Sequence, residues 1–382
     1  MTGPASRARV LAFADVTTSV VAAARLHAPL RALRAAGLIE AFAVTDATLR
    51  GAPRGGNFDV IWLQRGADAW LAKTLAARLP HRFMLDVDDH LLCRPSYLAP
   101  GQLPDPGAVS NAIAACKVLT TPTLRLARLL QSRSGVSLEE KTAVCPNAVD
   151  FSGLGVSTPR APQAILLTQS HHLALTTSAG DILGAVAGFA ARRRLPIWSL
   201  GAPVPELVSH AAQAGIAVKS LRTRAYDRYH AGLAHGPALL GVAPLETRGD
   251  GPTNEFVAGK SDIKMVEFGG FGHTAVYSAA PPYTDTDLAC GRLADNDAAS
   301  WTAALEAAAE HGWRTAPDEA RAVREQRDLA RVAAEMWWPA VQAARLEQPV
   351  DAAHLFTLLE KIAARARDRA DRVRWRIARD ST

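Results

Sequence analysis

Short apolar runs alternate with longer amphipathic segments along most of the chain, a pattern typical of strands that alternate with helices. The segment from Ala22 to Gly37, for example, predicts a helix that a glycine ends. The apolar runs that predict strands are residues 10–13, 58–65, 82–90, 118–124, 164–168, 197–201, 238–245 and 274–278. Because strands separated by helices form parallel sheets covered by helices, the pattern predicts an α/β fold.

The length of the chain and its linker signals predict two domains. A chain of 382 residues is long for one domain and suits two domains of about 150 to 190 residues. Glycine and proline cluster over residues 151–162, which indicates a linker. We therefore expect one domain over residues 1–155 and a second over 160–345. Residues 350–382 are expected to form a terminal helix.

The segment 259–272 carries two lysines and a glutamate ahead of a glycine-rich turn. Lys260, Lys264 and Glu267 are spaced by four and three positions, so a continuous helix would place them on one face. Lysines beside helix-terminal amides can hold a phosphate, and a carboxylate one turn further on can accept both hydroxyls of a ribose. The combination indicates a nucleotide diphosphate ligand. Ordinary Lys–Glu pairing on a solvated helix explains the spacing equally well.

The surroundings of this segment favour the ligand interpretation. The apolar run 238–245 precedes it and the run 274–278 follows it, so the order of elements predicts a βαβ unit. Ligands of parallel sheets gather at the carboxyl ends of the strands, and the charged segment begins just after such an end.

A second polar cluster follows the apolar run that begins at residue 82. On an extended strand, Asp86 and Asp88 would point to one side and Asp89 to the other. Carboxylates this close repel each other, so at least one is expected to bind a cation, a donor group or a backbone amide. A strand end followed by a helix cap is an alternative. Metal binding by an Asp-x-Asp pair is another, because hard cations prefer oxygen ligands.

The ordered segments from residue 8 to residue 345 resemble bacterial group-one glycosyltransferases with the GT-B fold. They are similar in particular to a subgroup with an Asp-x-Asp-Asp segment, here residues 86–89, and a Lys-Ser-x-Ile-Lys-x-x-Glu segment, here residues 260–267. The resemblance implies two Rossmann-like domains that face a cleft, with carboxyl-terminal helices, and a helix at the end of the second domain that crosses back to the first. It also implies sugar transfer from a nucleotide-diphosphate donor to a glycan, lipid-linked or protein acceptor, with retention of the anomeric configuration and without a metal or other cofactor.

The resemblance also implies roles for individual residues. The wider family carries a glutamate where this chain has Gly259, so Lys260 or Lys264 is expected to take over part of the donor contact. Catalytic roles are expected for Asp88, Asp89, His90, Lys264 and Glu267. Donor contacts are expected from Ser170, His171, Gly201, Tyr226, Lys260, Ser261, Lys264, Glu267 and Gly270, and acceptor contacts from Thr18, Arg25 and Asp86. Backbone amides near residues 269–272 are expected to complete the diphosphate site, and packing within a helix is an equal alternative for Tyr226.

Charge and hydropathy bear on the surroundings of the protein. The net charge is +6, and the last 32 residues contribute eight Lys or Arg against five Asp or Glu. Residues 352–379 therefore predict a basic amphipathic helix, which would either lie on an anionic membrane or pack on protein; its alanine-diluted apolar stripe favours packing. Residues 1–9 lack an apolar signal core, and no apolar run approaches the roughly 18 residues of a membrane span. We expect a cytoplasmic protein, with peripheral contact at the inner membrane face as an alternative.

Two other functional classes remain open at this stage. One is an enzyme of the same fold with another reaction, such as a sugar-nucleotide epimerase. The other is a non-catalytic protein that binds a nucleotide sugar or a nucleic acid; the modest basic excess argues against nucleic acid as a partner. The four cysteines are scattered without the spacing of metal ligands, which predicts reduced thiols.

Overall fold

The computed structural model describes residues 7–53, 55–66, 68–154, 161–168, 179–222, 225–310 and 317–365. Within these residues the chain forms two parallel six-stranded sheets, each covered by helices on both faces. The interior strands of these sheets are buried on both faces and read as continuous apolar runs, which is why the sequence pattern located them; it missed the partly exposed strands at the edges of both sheets. The architecture is α/β, as predicted.

The first sheet has the strand order β2-β1-β4-β5-β6-β7. Its strands, together with the short β3, are β1 (Ala8–Phe13), β2 (Ile39–Thr45), β3 (Asn57–Phe58), β4 (Val60–Gln64), β5 (Met84–Asp86), β6 (Val118–Thr121) and β7 (Thr142–Val144). The helices between them are α1 (Val20–Ala22), which continues through a π-helical turn (Ala23–His27) into α2 (Ala28–Ala35), then α3 (Ala69–Arg78), α4 (Pro106–Ala115) and α5 (Leu124–Ser134).

The second sheet has the strand order β10-β9-β8-β11-β12-β13. Its strands are β8 (Ala164–Thr168), β9 (Ile197–Leu200), β10 (Val218–Leu221), β11 (Leu239–Ala243), β12 (Thr274–Ser278) and β13 (Arg292–Ala294). The helices are α6 (Ala179–Arg193), α7 (Pro205–Gln213), α8 (Tyr226–His235), α9 (Gly251–Ala258), α10 (Ile263–Gly270), α11 (Pro281–Thr284) and α12 (Ala298–Glu310). The predicted βαβ unit around the charged segment therefore consists of β11, α9, α10 and β12. Its two strands, β11 and β12, pair in parallel.

The chain then returns to the first sheet. The returning helices are α13 (Pro317–Arg327), α14 (Leu329–Val332), a π-helical turn (Ala333–Trp337) and α15 (Trp338–Ala344). Trp337 is fully buried there, with its ring 4.8 Å from the ring of Trp62 on β4. Trp337 and Trp338 both belong to this returning segment and pack against the core of the first domain.

The carboxyl-terminal segment packs on the first domain as far as it is described. The strand β14 (Val350–Asp351) pairs antiparallel with β3, and a helix, α16, occupies residues 352–365. Leu355, Phe356 and Leu359 of α16 are buried in the same core as β1 and β4. The arginine-rich remainder of the predicted basic helix, from residue 366 onwards, lies outside the described residues. Among the described helices, none is long and apolar enough to cross a membrane.

Candidate functional site

The polar side chains at the carboxyl ends of β1, β4 and β5 converge on one arginine. Arg65 directly follows β4 and adopts a left-handed backbone conformation with φ of 56°. Its Nη1 lies 3.0 Å from Asp88 Oδ1 and 3.2 Å from Asp89 Oδ2, and its Nε lies 3.7 Å from Asp15 Oδ2. Carboxyl ends of neighbouring parallel strands meet at one edge of a sheet, so three short loops place these charges together.

The second domain completes this cluster with Lys260, whose Nζ lies 3.6 Å from Asp89 Oδ1. Burial alone would raise the pKa of Asp89, but Lys260 and Arg65 together hold it below its ordinary value. Burial raises the pKa of Asp88 to about 6, with Arg65 opposing and Asp89 reinforcing the shift. The two carboxyls are therefore set apart in proton affinity, an arrangement common in sites that handle charge or protons.

The expectation that Asp86 and Asp88 share one side of a strand is wrong. β5 ends at Asp86, so Asp88 and Asp89 already lie in the following loop and both reach Arg65. Asp86 instead turns into the first domain, where its two oxygens accept hydrogen bonds from Arg25 Nε and Nη2 at 3.2 and 2.6 Å.

Arg25 and Asp86 form a buried ion pair that the acceptor cannot reach. Their side chains are 2% and 0% exposed. Arg25 also donates to the backbone oxygen of Cys145 and to Asn147 Oδ1, while Thr120 donates to Asp86 at 2.8 Å. Because the pair has almost no exposed surface, the predicted acceptor contact of Arg25 and Asp86 is corrected to a structural role. Thr18, by contrast, is exposed in the loop after β1, and its acceptor contact remains a prediction.

The charged segment, residues 259–272, is not one continuous helix. α9 ends at Ala258 and α10 begins at Ile263, so Lys260 lies in the turn between them and does not share a helical face with Lys264 and Glu267. The correction follows from the acidic start of α10. Asp262 at that start accepts hydrogen bonds from Arg327 at 3.1 Å and from Thr286 at 2.6 Å.

Lys264 and Glu267 do lie together, as their spacing predicted. Lys264 Nζ is 2.6 Å from Glu267 Oε2, and the carboxylate also accepts from Tyr229 at 3.1 Å and lies 3.2 Å from His230 Nε2. Burial would raise the pKa of Glu267, but Lys264 and His230 hold it at about 2. A carboxylate offers about four acceptor positions, so three protein partners leave room for one further hydroxyl rather than the pair of ribose hydroxyls first expected.

The glycine-rich turn is not a diphosphate cradle. The amides of residues 271, 272 and 273 already donate to carbonyls of α10, because this turn is the carboxyl end of the helix. That end carries partial negative charge and repels phosphate. Gly270 is a packing residue: a Cβ atom placed there would lie 2.2 Å from Cζ of Phe151 in the linker. The predicted donor contact of Gly270 and its neighbours is therefore corrected.

The remaining predicted donor residues lie in several places. Ser261 accepts a hydrogen bond from Asn147 at 2.6 Å, which joins the turn before α10 to the first domain. Gly201 follows β9 with φ of 89° and donates to the backbone of Leu221. Tyr226 is buried at the start of α8, its ring 4.1 Å from the ring of His230. Ser170 and His171 lie outside the described residues.

His90 lies at the boundary between the domains. Its side chain is fully buried, and Nε2 is 2.8 Å from Oε1 of Glu255 on α9. Glu255 in turn accepts hydrogen bonds from Nε and Nη2 of Arg133. Burial lowers the pKa of His90. A catalytic contact of His90 with substrate, which remains a prediction, would require this boundary to open.

The ligand atoms of His90, Cys93 and Glu255 lie within 4.8 Å of one another, a spacing that a metal ion could occupy. Both oxygens of Glu255 are nevertheless taken by Arg133 and His90, and a guanidinium this close opposes a cation. The cluster is therefore described better as a hydrogen-bonded ion-pair network.

Several residues of the site were not identified from the sequence. They are Asp15, Arg65, His230 and Glu255. The signal for Arg65 and Asp15 was their position, because each follows a buried strand at its carboxyl end. No comparable signal marks Glu255, whose partner His90 is 165 positions away in the chain.

Comparison with solved structures supports the fold. No protein-family model matches the sequence, and no curated protein matches it significantly. Sucrose-phosphate synthase from Thermosynechococcus elongatus is similar with a TM-score of 0.59 at 12% identity, over 88% of this chain and 99% of that chain. Anabaena Alr3699/HepE in complex with UDP and glucose is similar with a TM-score of 0.56 at 14% identity, over 86% of this chain and 98% of that chain. S. aureus MnaA with UDP is similar with a TM-score of 0.51 at 12% identity, over 86% of this chain and 94% of that chain.

These likenesses extend over nearly the whole chain and concern the fold alone. Together with the two six-stranded parallel sheets, they show that the predicted GT-B fold is correct: two Rossmann-like domains that face a cleft.

Proposed function

We propose that the protein is a glycosyltransferase that moves a sugar from a nucleotide-diphosphate donor to an acceptor hydroxyl. The observation that carries the proposal is the contact of Lys260 with Asp89 across the cleft, 3.6 Å apart. It joins a carboxylate–arginine cluster on one sheet edge to a lysine–glutamate segment on the other. Ligands of such sheets bind at these edges, so a donor held by one domain would meet an acceptor held by the other.

The donor would lie against the turn before α10 and the first turn of that helix. Glu267 has one acceptor position left for a ribose hydroxyl, and Lys264 beside it is a quarter exposed. Lys260 and Lys264 would offset the negative charge that grows on the leaving diphosphate, which is electrostatic stabilisation of the transition state. These cations make a divalent metal unnecessary in the proposal. UDP is the first probe to use, because the structurally similar HepE and MnaA were solved in complex with UDP.

The carboxyl cluster would serve the sugar and the acceptor. In the transfer, the bond from the anomeric carbon to the diphosphate breaks and a bond to the acceptor oxygen forms. The acceptor oxygen loses a proton. Asp89, ionised and held between Lys260 and Arg65, is suited to accept hydrogen bonds from sugar hydroxyls. Asp88, with a pKa of about 6, is the better candidate to receive or relay that proton near neutral pH.

The finer parts of the proposal rest on the sequence resemblance. They are transfer of a hexosyl or deoxyhexosyl group with retention of anomeric configuration, membership of the bacterial subgroup, and a glycan, lipid-linked or protein acceptor. A cytoplasmic location, with peripheral contact at the inner membrane face, is part of the same proposal.

Release of free nucleotide from a panel of nucleotide sugars tests the activity. The protein would be incubated without metal with UDP-, GDP-, dTDP- and CMP-sugars, and the released nucleotide measured by chromatography. Slow donor hydrolysis by the wild type, absent from Glu267→Gln, is the expected result, since water can replace an unidentified acceptor. Binding of one nucleotide without any release, with or without candidate acceptors, would indicate a non-catalytic binding protein instead.

A further inference from the structure

The helix α9 (Gly251–Ala258) of the second domain is docked onto the first domain through a carboxylate. Glu255 Oε1 lies 2.8 Å from His90 Nε2 and accepts a hydrogen bond from Arg133 Nε at 2.7 Å, while Oε2 accepts one from Arg133 Nη2, so the carboxylate bridges a loop and a helix of the first domain. Arg133 is half exposed, whereas the side chain of His90 has no exposed surface. A partly exposed ion pair of this kind has modest strength, which suits a contact that forms and breaks.

Neighbouring groups extend the same contact along α9. Ser96 donates its amide and pairs its hydroxyl with Thr253 Oγ1, at 3.1 and 3.0 Å. The thiol of Cys93 donates to the backbone oxygen of Pro252 at 3.3 Å. At the other end of α9, Nε of Arg125 donates a hydrogen bond to the carbonyl oxygen of Ala258 at 2.5 Å. Residues 90–97 of the first domain and residues 251–259 of the second thus form one continuous contact, named here the clasp.

Gly259 closes the clasp with no room for a side chain. A Cβ atom at this position would lie 2.7 Å from Cβ of His90 and 3.3 Å from a methyl group of Leu126. The Cβ of His90 is attached to the backbone and cannot move aside as a flexible side-chain end does. Any larger residue at 259 would hold the two domains apart.

We infer that the clasp is a reversible device that sets domain closure, and that Glu255 is its positioning residue. His90 follows Asp89 in the chain, and Gly259 precedes Lys260, so each side of the clasp is bonded directly to one member of the cross-cleft pair. Formation of the clasp contact therefore places Asp88 and Asp89 opposite Lys260. The closure itself is independent of the proposed function; only its consequence for sugar transfer rests on that proposal.

The thiol of Cys93 provides a direct test, because it is buried within the clasp while the other three thiols are buried in domain cores. A thiol reagent such as DTNB should modify Cys93 slowly in the wild type, at the rate at which the clasp opens. Gly259→Ala should accelerate modification of one thiol at least tenfold. The matched control is Gly251→Ala in the same helix, where an added Cβ meets nothing within 4 Å and no acceleration is expected. Adding Cys93→Ser must abolish the rapid phase.

A second variant separates opening from misfolding. Glu255→Gln keeps the shape but removes the charge, and about a tenfold acceleration of one thiol is expected. Its control is Glu306→Gln, which breaks ion pairs with Arg192 and Arg193 inside the second domain and should leave the rate unchanged. Modification of all four thiols would report unfolding of a variant, and the other variant then decides. Equal single-thiol rates in wild type, Gly259→Ala and Glu255→Gln would overturn the inference.

Addition of UDP distinguishes this inference from the proposed function. If both are right, UDP slows modification of Cys93 in the wild type, because a ligand held between the domains favours closure. If the variants accelerate labelling but no nucleotide slows it, the clasp stands and the nucleotide-sugar proposal loses support.

Discussion

At the scale of single residues, Asp88 carries a cost in stability that its position explains. Its pKa rises from 3.8 to about 6, because burial and the charge of Asp89 outweigh the attraction of Arg65. A carboxyl with a raised pKa in the folded state stabilises the fold only while protonated, so its contribution is lost as pH rises through about 6. Residues at functional sites often keep such strain because the chemistry needs it.

Asp88→Asn is therefore expected to increase the free energy of unfolding at pH 7.5 by about 1–3 kcal/mol, the value of a shift of about two pKa units. The gain should shrink below pH 5, where the wild-type carboxyl is protonated. Urea unfolding of wild type and variant at pH 7.5 and at a pH below 5 measures this difference in stability. Arg65 keeps Asp89 and Asp15 as partners in the variant. A lower stability of Asp88→Asn at pH 7.5 would show that the pair with Arg65 dominates instead.

Arg25 differs from Asp88 because its role is structural. Arg25→Met would leave the fully buried carboxylate of Asp86 without its cation, which costs about 3–5 kcal/mol in comparable buried pairs. Thermal or urea unfolding of this variant should show that loss. The control is Arg31→Met, which breaks an exposed pair with Asp227 and should change stability little. A fully stable Arg25→Met with impaired activity would instead restore the acceptor role first expected.

The sequence revealed those site residues whose partners are close in the chain. Lys264 and Glu267 are three positions apart, and their spacing alone indicated that they meet. The roles of Arg25 and Asp86 were misjudged because their ion pair joins residues 61 positions apart. Burial and long-range pairing depend on the packing of whole elements, which no local pattern contains.

At the scale of elements, the glycine-rich segment shows how a local pattern misleads. Residues 259–272 have helical spacing, yet the helix begins only at Ile263 because Arg327 and Thr286 hold Asp262 at its start. The interior strands were located more accurately, because burial on both faces gives each a continuous apolar run, whereas the partly exposed edge strands β2, β7, β10 and β13 were missed. The end of β5 at Asp86 was missed because polar residues continue directly into the loop.

Gly270 at the end of α10 gives a prediction at this scale. Gly270→Ala would place a Cβ atom against the ring of Phe151, and overpacking of this kind costs about 1–3 kcal/mol. The control is Gly232→Ala in α8, which meets no atom within 4 Å and should gain about 0.5–1 kcal/mol from helix propensity. Urea unfolding measures both. Equal stability of the two variants would mean that the linker around Phe151 adapts freely.

At the scale of the whole molecule, the alternation of apolar runs was sufficient to predict two parallel α/β sheets, since each helix–strand unit is specified locally. The relation between the domains was not predictable in this way. The clasp joins His90 to Glu255, 165 positions apart in the chain, and the cleft site joins Asp89 to Lys260 over a similar separation. Such contacts depend on how the two sheets are placed relative to each other, and the returning helices α13 to α15 contact both domains.

The central claim is that the cleft binds a nucleotide diphosphate through Lys264 and Glu267. Thermal unfolding with UDP, GDP, dTDP and CMP in the absence of metal tests it most directly. A ligand that binds only the native state stabilises it by about 2.7 kcal/mol at 100 times its Kd. One nucleotide is expected to raise the Tm of the wild type and of the control Lys73→Met, which alters an exposed surface pair. The same nucleotide should leave the Tm of Lys264→Met and Glu267→Gln unchanged. Absence of any shift in the wild type at millimolar nucleotide, or equal shifts in all four proteins, would contradict the account.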